Sequence, residues 1–322
     1  MSSLRKIPIL LLILLAGGAI RMPVEKGLSD ELHQIGLLHA PLSVDTRDKL
    51  GQTGFAVALG GLRTLVATFF NLRAYTAFTE DRWRDLSESY DTMVALAPHT
   101  TYYWSSGSWH LYSNAATQSK LDENLTALRR QELWRAYVQK GHAFLERGIR
   151  NNPDNWFLKS ELGNLLSSPF QAAAFPDRQA TYEAAAEAYR AAASEKGAPP
   201  YLRRQWLYAL ARLPGREAES LALAEELYNT VPRNRPTTLL GLLFTLRMHH
   251  DPDQDPVALA DKIFSKNQYA YLALGDLWEN REERNAHPVD GIAAVLPVLE
   301  SRLSIPWEHS FLNPNRVPPK GR

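Results

Sequence analysis

The sequence predicts an all-α fold: a superhelical array of about six antiparallel helix pairs, an α-solenoid, behind an N-terminal membrane helix. Three observations predict it. A helical period of apolar residues starts near Thr53 and runs to the Pro-rich end with no convincing alternating strand segment. A Leu-Gly phrase recurs inside helical runs, at Leu162-Gly163-Asn164-Leu165-Leu166 and at Leu274-Gly275-Asp276-Leu277-Trp278. Prolines at Pro98, Pro153 and Pro232 close the first, second and fourth pairs, because proline cannot continue a helical hydrogen-bond ladder.

Taken in order, the chain begins with Arg5 and Lys6 before a run from Ile7 to Ile20 that carries no charge. That is the pattern of an export signal. As a helix the run covers roughly 21 Å, short of the ~30 Å hydrocarbon core. Gly17 and Ala19 offer a cleavage-like site, so one reading is a cleaved signal peptide. The other, which we prefer, is a single-pass anchor through residues 4–20, with Arg5 and Arg21 reaching the interfaces. On either reading residues 1–21 address the inner (cytoplasmic) membrane, and the C-terminal bulk lies outside the cytoplasm, since the basic residues precede the apolar run.

Residues 22–52 read as a linker, with a short helix from Asp30 to Leu38 and turns at Pro41 and Asp45. Gly54 to Phe70 is apolar, but Arg63 at its middle makes a second span expensive, so it is assigned to the first buried helix. The repeat domain covers residues 53–303. Its pairs are predicted at 56–78 with 83–96, 102–116 with 132–150, 156–166 with 178–194, 201–212 with 217–230, 237–249 with 256–264, and 268–280 with 289–303. The polar stretch 115–133 alternates charge and suits a solvated helix. The tail, 304–322, holds Pro306, Pro314, Pro318 and Pro319 and is expected to be extended and poorly ordered, with Trp307 and Phe311 docking on the last pair.

Composition limits the function classes. The 322 residues carry 36 basic and 35 acidic side chains, so no global field draws nucleic acid, and no nucleic-acid partner is expected. With no Cys, a disulfide framework, a thiolate metal site and a cysteine nucleophile are excluded. No phosphate loop, Gly-x-Ser-x-Gly elbow or His-Glu-x-x-His helix is present. Asp251, Asp253 and Asp255 alternate as a calcium loop begins, but Pro256 and Lys262 stand where its glycine and distal carboxylate belong; an Asp-capped turn is the better reading. No cofactor, metal or catalytic residue is therefore assigned.

With Trp156 before Leu162-Gly163 and Leu166 after it, the third pair resembles the tetratricopeptide repeat, whose closing proline Pro98, Pro153 and Pro232 match; Leu274-Gly275 with Trp278 matches again. The fourth pair departs from the pattern, with Trp206, Leu207 and Tyr208 where Leu-Gly is expected. A narrower resemblance covers the first half. Leu59-Gly60-Gly61-Leu62-Arg63, Asn71-Leu72-Arg73-Ala74, Leu96-Ala97-Pro98-His99, Tyr103-Trp104, Trp109-His110 and Asn114 look like uncharacterised exported, membrane-anchored helical-repeat proteins of bacteria.

The tetratricopeptide resemblance implies a concave face lined by the first helix of each pair. On its register Asn71, Tyr75, Tyr102, Ser105, Trp109 and Asn164 fall on that face, where aromatics with polar tips and amides suit an extended peptide. The competing reading makes Tyr102 and Trp109, seven residues apart, a plain core stripe. The basic residues that would grip a peptide carboxylate are missing, so no clamp of that kind is expected. Arg63 and Arg73, in an apolar pair, are expected to be buried and locked to Asp81, Asp85 or Glu88, or to contact a ligand anion. The expectation is a membrane-tethered scaffold or adaptor, not an enzyme, that binds a protein or peptide partner in an envelope complex. The alternative is a helical-array hydrolase of envelope glycans, which needs two facing carboxylates.

Overall fold

The computed structural model describes residues 63–230, 235–281 and 287–316, with side chains from residue 66 onward. The expected anchor at 1–21, the linker, Arg63's side chain and Pro232 lie outside the described residues. Among those described, every regular element is helical and none is a strand. The chain divides into two compact units, Met1–Glu161 and Leu162–Arg322.

In the first unit α1 (Arg63–Thr79) packs along α2 (Trp83–Leu96). The two are joined by a tight turn with Asp81 at φ 57°, a left-handed position that Asp tolerates. Ala67, Ala74 and Ala77 form the buried line of α1, which puts Phe69, Leu72, Arg73 and Thr76 on its outer side. Arg73 is therefore exposed rather than buried, with its guanidinium 6.0 Å over the Phe70 ring. Of the three acids expected to hold it, Asp85 pairs with Arg82 and Glu88 with Arg84 at 3.3 Å, and Asp81 sits in the turn itself.

After the Pro98 turn, α3 (Thr101–Trp109) runs without a break into a π-helical stretch, His110–Ala115, and then α4 (Ala116–Leu121). The expected helix at 102–116 is thus longer, and its middle is wider. Then α5 (Ala127–Asn151) starts at a Thr126 cap, whose Oγ1 accepts from the Arg129 amide at 3.3 Å, five residues before the predicted bound at 132 and inside the stretch that suited a solvated helix. Trp134 explains the early start: it is fully buried under Lys120, whose Nζ lies 4.3 Å from the ring centroid. α3 is held between α2 and α5 through Trp104, Gly107, Ser108 and Leu111. A Cβ on Gly107 would lie 2.9 Å from both Tyr90 of α2 and Phe144 of α5, so only glycine allows this sandwich.

The unit boundary falls inside α6 (Trp156–Ser167). In the second unit the expected long connection contains one turn of helix, α7 (Pro169–Ala172), followed by α8 (Arg178–Ala193), α9 (Tyr201–Leu210) and α10 (Glu217–Thr230). The expected partner of α9 was α10, but α9 lies most extensively along α8. The reason is steric: Ala185, Ala186, Ala188 and Ala192 give α8 a low buried face that a neighbouring helix can approach closely. The Leu-Gly phrase is accounted for here. A Cβ on Gly163 would lie 2.7 Å from the Tyr189 ring, whose hydroxyl donates to Asn164 Oδ1 at 2.7 Å.

α11 (Thr237–His250) is the most buried helix of the unit, with α10, α12 (Pro256–Ile263) and α13 (Asn267–Glu279) against it, while α14 (Ile292–Leu303) packs on α13 and α12. Asp255 caps α12, accepting from the amides of Val257 at 2.9 Å and Ala258 at 3.2 Å. The tail is corrected by the structure. Through residue 316 it packs instead of trailing away: Phe311 is buried on Gly275 and Tyr271, Ser310 donates to Glu300 at 2.7 Å, and Arg316 pairs with Glu279 at 2.7 Å. Trp307, expected to dock beside Phe311, is exposed. The second Leu-Gly phrase therefore seats an aromatic ring as the first does, but the ring comes from the tail.

Candidate functional site

The site is built on the outer face of α3. Residues 102, 105, 106 and 109 share one side of a helix by the i, i+3, i+4, i+7 rule. The opposite side is locked: Trp104 donates from Nε1 to the Pro98 carbonyl at 2.7 Å, and Ser108 donates to the Gly141 carbonyl at 2.8 Å. With α3 unable to rotate, Tyr102 is left 56% and Trp109 45% exposed. The core-stripe reading of these two is overturned, since the core stripe is Trp104, Ser108 and Leu111.

Ser105 lies half-buried between them and donates to the Tyr102 carbonyl at 3.2 Å. Its neighbour Ser106 hydrogen-bonds the hydroxyl of Tyr90, which burial pushes above the usual tyrosine value. On α1, Tyr75 is exposed and Asn71 is half-buried. Asn164 belongs to the other unit, where it accepts the Tyr189 hydroxyl, so it is engaged in holding α6 to α8.

Below Trp109 the wider π-helical turn carries His110 into a ring cluster. Its centroid is 4.9 Å from Phe78, 5.2 Å from Trp109 and 5.8 Å from Tyr90, and Nδ1 meets Asn114 Nδ2 at 2.9 Å. The wall of the cluster is Trp83, against Phe78 at 5.9 Å, with its indole N–H donated to Gln118. π-helical turns inside α-helices are often found at functional sites. Burial lowers the His110 pKa, and does the same for His142 against an opposing pull from Glu146.

These shifts predict a pH dependence. The unfolded chain takes up protons near pH 6.5, whereas the folded unit resists until lower pH. Stability is therefore complete above about pH 6.5 and falls as the pH drops toward the folded values. The thermal midpoint should decrease between about pH 7 and pH 5, and less so in His110→Gln; a midpoint that stays level, or an unchanged slope in the variant, would contradict this.

Sequence reasoning missed one signal that was open to it. Between Asp91 and Lys120 there is no Asp, Glu, Lys or Arg, in a chain that is 22% charged. The face of α3 is thus aromatic and hydroxylic, with no Asp, Glu, Lys or Arg of its own; among the described residues no group of three or more His, Asp or Glu is placed to hold a metal ion. What it can do chemically is bury a partner's apolar and polar groups without placing a charge against them. The chain matches no protein-family model, no curated protein and no solved structure.

Proposed function

We propose that this chain is a tetratricopeptide-like helical-repeat scaffold, held at the outer side of the inner membrane by residues 4–20, that binds an uncharged segment of a protein partner on the face of α3. One observation carries the reading: Tyr102 and Trp109 stand open to solvent, with the half-buried Ser105 between them, on a helix whose other side is bolted into the core. Exposed Tyr and Trp with Ser between them supply contact area at low entropy cost, and adaptable hydrogen bonding beside it. The repeat assignment rests on the antiparallel contacts of α1 with α2 and α13 with α14, and on the two Leu-Gly positions that seat aromatic rings.

The hydrolase alternative needs a carboxyl held above its usual range to act as general acid. In a groove of the second unit, Glu187 is held below it by Arg190, a state that suits the ionised second carboxylate of such a pair and not its general acid.

The test is crosslinking in intact cells, followed by capture from solubilised membranes, with the wild type and a Tyr102→Ala/Trp109→Ala double variant. Interface aromatics are typical hot spots worth about 2 kcal/mol or more, so recovery of the main partner should fall by at least roughly tenfold while the fold is kept. Equal recovery by both proteins, or a chain found only in the cytoplasm, would sink the reading.

A further inference from the structure

A second site lies wholly within the other unit and is independent of the α3 face. On α8, Glu183, Glu187 and Arg190 fall at i, i+4 and i+7 and so share one side. The start of α10 brings Arg216 and Glu219 opposite them, and α9 contributes Trp206. Together they border a groove of about 360 Å³ with Leu210 and Leu213 beneath.

The charges in this groove are not free in equal measure. Arg190 clasps Glu187 with two bonds, 2.8 and 2.6 Å, and Arg216 donates from Nε to Glu219 at 2.6 Å. Two guanidiniums are thereby committed to two carboxylates. The third carboxylate, Glu183, has only a loose approach from Arg216, at 3.9 Å, and is largely exposed. The groove thus carries three acids against two bases, and its spare capacity is as an acceptor. The half-buried Trp206 indole adds to this, because no cation and no ring packs on it among the described residues. An open indole is the best aromatic face for a cation, and an apolar floor suits a methylene stem.

We infer that this groove binds a single organic cation on an aliphatic stem, an alkylammonium group, against Trp206 and Glu183. With each guanidinium neutralised by a carboxylate, an anion would meet no net positive charge here, and one excess negative charge matches one positive ligand charge. The chemistry can come from a lysine side chain of a bound protein or from a free amine.

The experiment titrates the full-length protein with N-acetyl-lysine N-methylamide, its uncharged norleucine counterpart and cadaverine. The readout is the indole N–H resonance of Trp206, assigned by its loss in Trp206→Leu. The lysine derivative should shift that resonance saturably and the norleucine derivative should not. Glu183→Gln, on an exposed side chain that the fold does not need, should weaken binding about fivefold, and added salt should weaken it further. If cadaverine binds tenfold more tightly than the lysine derivative, the source is a free amine; comparable or weaker binding points to a protein lysine. Either result upholds the cation site. No saturable shift, equal binding of the norleucine derivative, or unchanged affinity in Glu183→Gln would overturn it.

Discussion

Trp104→Ala is expected to destabilise the first unit by about 4 kcal/mol, the cost typical of emptying a buried aromatic site. Trp104 is only 2% exposed, and its ring lies 5.0 Å from Phe144 and directly on Gly148, where a Cβ would come within 2.8 Å. The space cannot collapse easily, because Phe144 is fixed from the other side by Gly107 and Tyr90. The Pro98 carbonyl would also lose the indole donor, keeping only the Asn152 side-chain amide at 2.9 Å. A stability of about 5–15 kcal/mol leaves little margin for such a loss. Trp104→Phe, which keeps a ring and removes the N–H, should cost less than half as much. Trp109→Ala, on the exposed side of the same helix, should change stability by under about 0.5 kcal/mol. Denaturant unfolding of the three variants tests the order; a Trp109 effect equal to that of Trp104 would mean that α3 is not oriented as described.

Gly141→Ala should cost about 3 kcal/mol, although helix propensity alone favours alanine over glycine by about 1 kcal/mol. The two effects have opposite signs, and the contact distances decide between them. A Cβ at Gly141 would meet Tyr112 Cβ at 2.8 Å and two backbone atoms, Ser108 O and Tyr112 N, at 2.9 Å. Backbone of a packed helix cannot swing aside as a side-chain end can, so α5 would have to move off α3 and stretch the Ser108 bond to the Gly141 carbonyl. Gly241 is the contrasting position. There the nearest atom is Leu277 Cδ1 at 3.1 Å, the end of a flexible chain, and Gly241→Ala should be close to neutral. If Gly141→Ala raised the thermal midpoint, the close approach of α5 to α3 would be disproved.

The helices were legible because their signals are local. Pro256 after Asp255 starts α12 through a cap and a fixed φ, and the run from Glu217 to Thr230 is bounded as its periodicity implied. The candidate face was only half legible. Tyr102, Ser105 and Trp109 could be placed on one stripe by counting, but counting cannot say whether a stripe faces a neighbour or water. The long reach of α5 was legible only as a solvated helix somewhere in 115–133: Arg129, Arg130 and Gln131 gave it no packing face, and what anchors its start is Trp134 meeting Lys120 from another helix. The tail was half legible: Phe311 docks as expected, on a Gly275 seat that exists only once α13 has formed, whereas the prolines, which describe the free chain, suggested an extended end where the segment to residue 316 packs.

Sequence by itself determined that the chain is helical, where most of its helices begin and end, and which residues share a side of each, because caps, prolines and apolar spacing act within a few residues. Tertiary structure alone decided which tryptophan is core and which is surface, that α8 prefers α9, and that Glu183 and Trp206 meet at one groove. Those outcomes depend on how closely two backbones approach, and that distance is set by glycines and alanines whose effect appears only when another helix is laid against them.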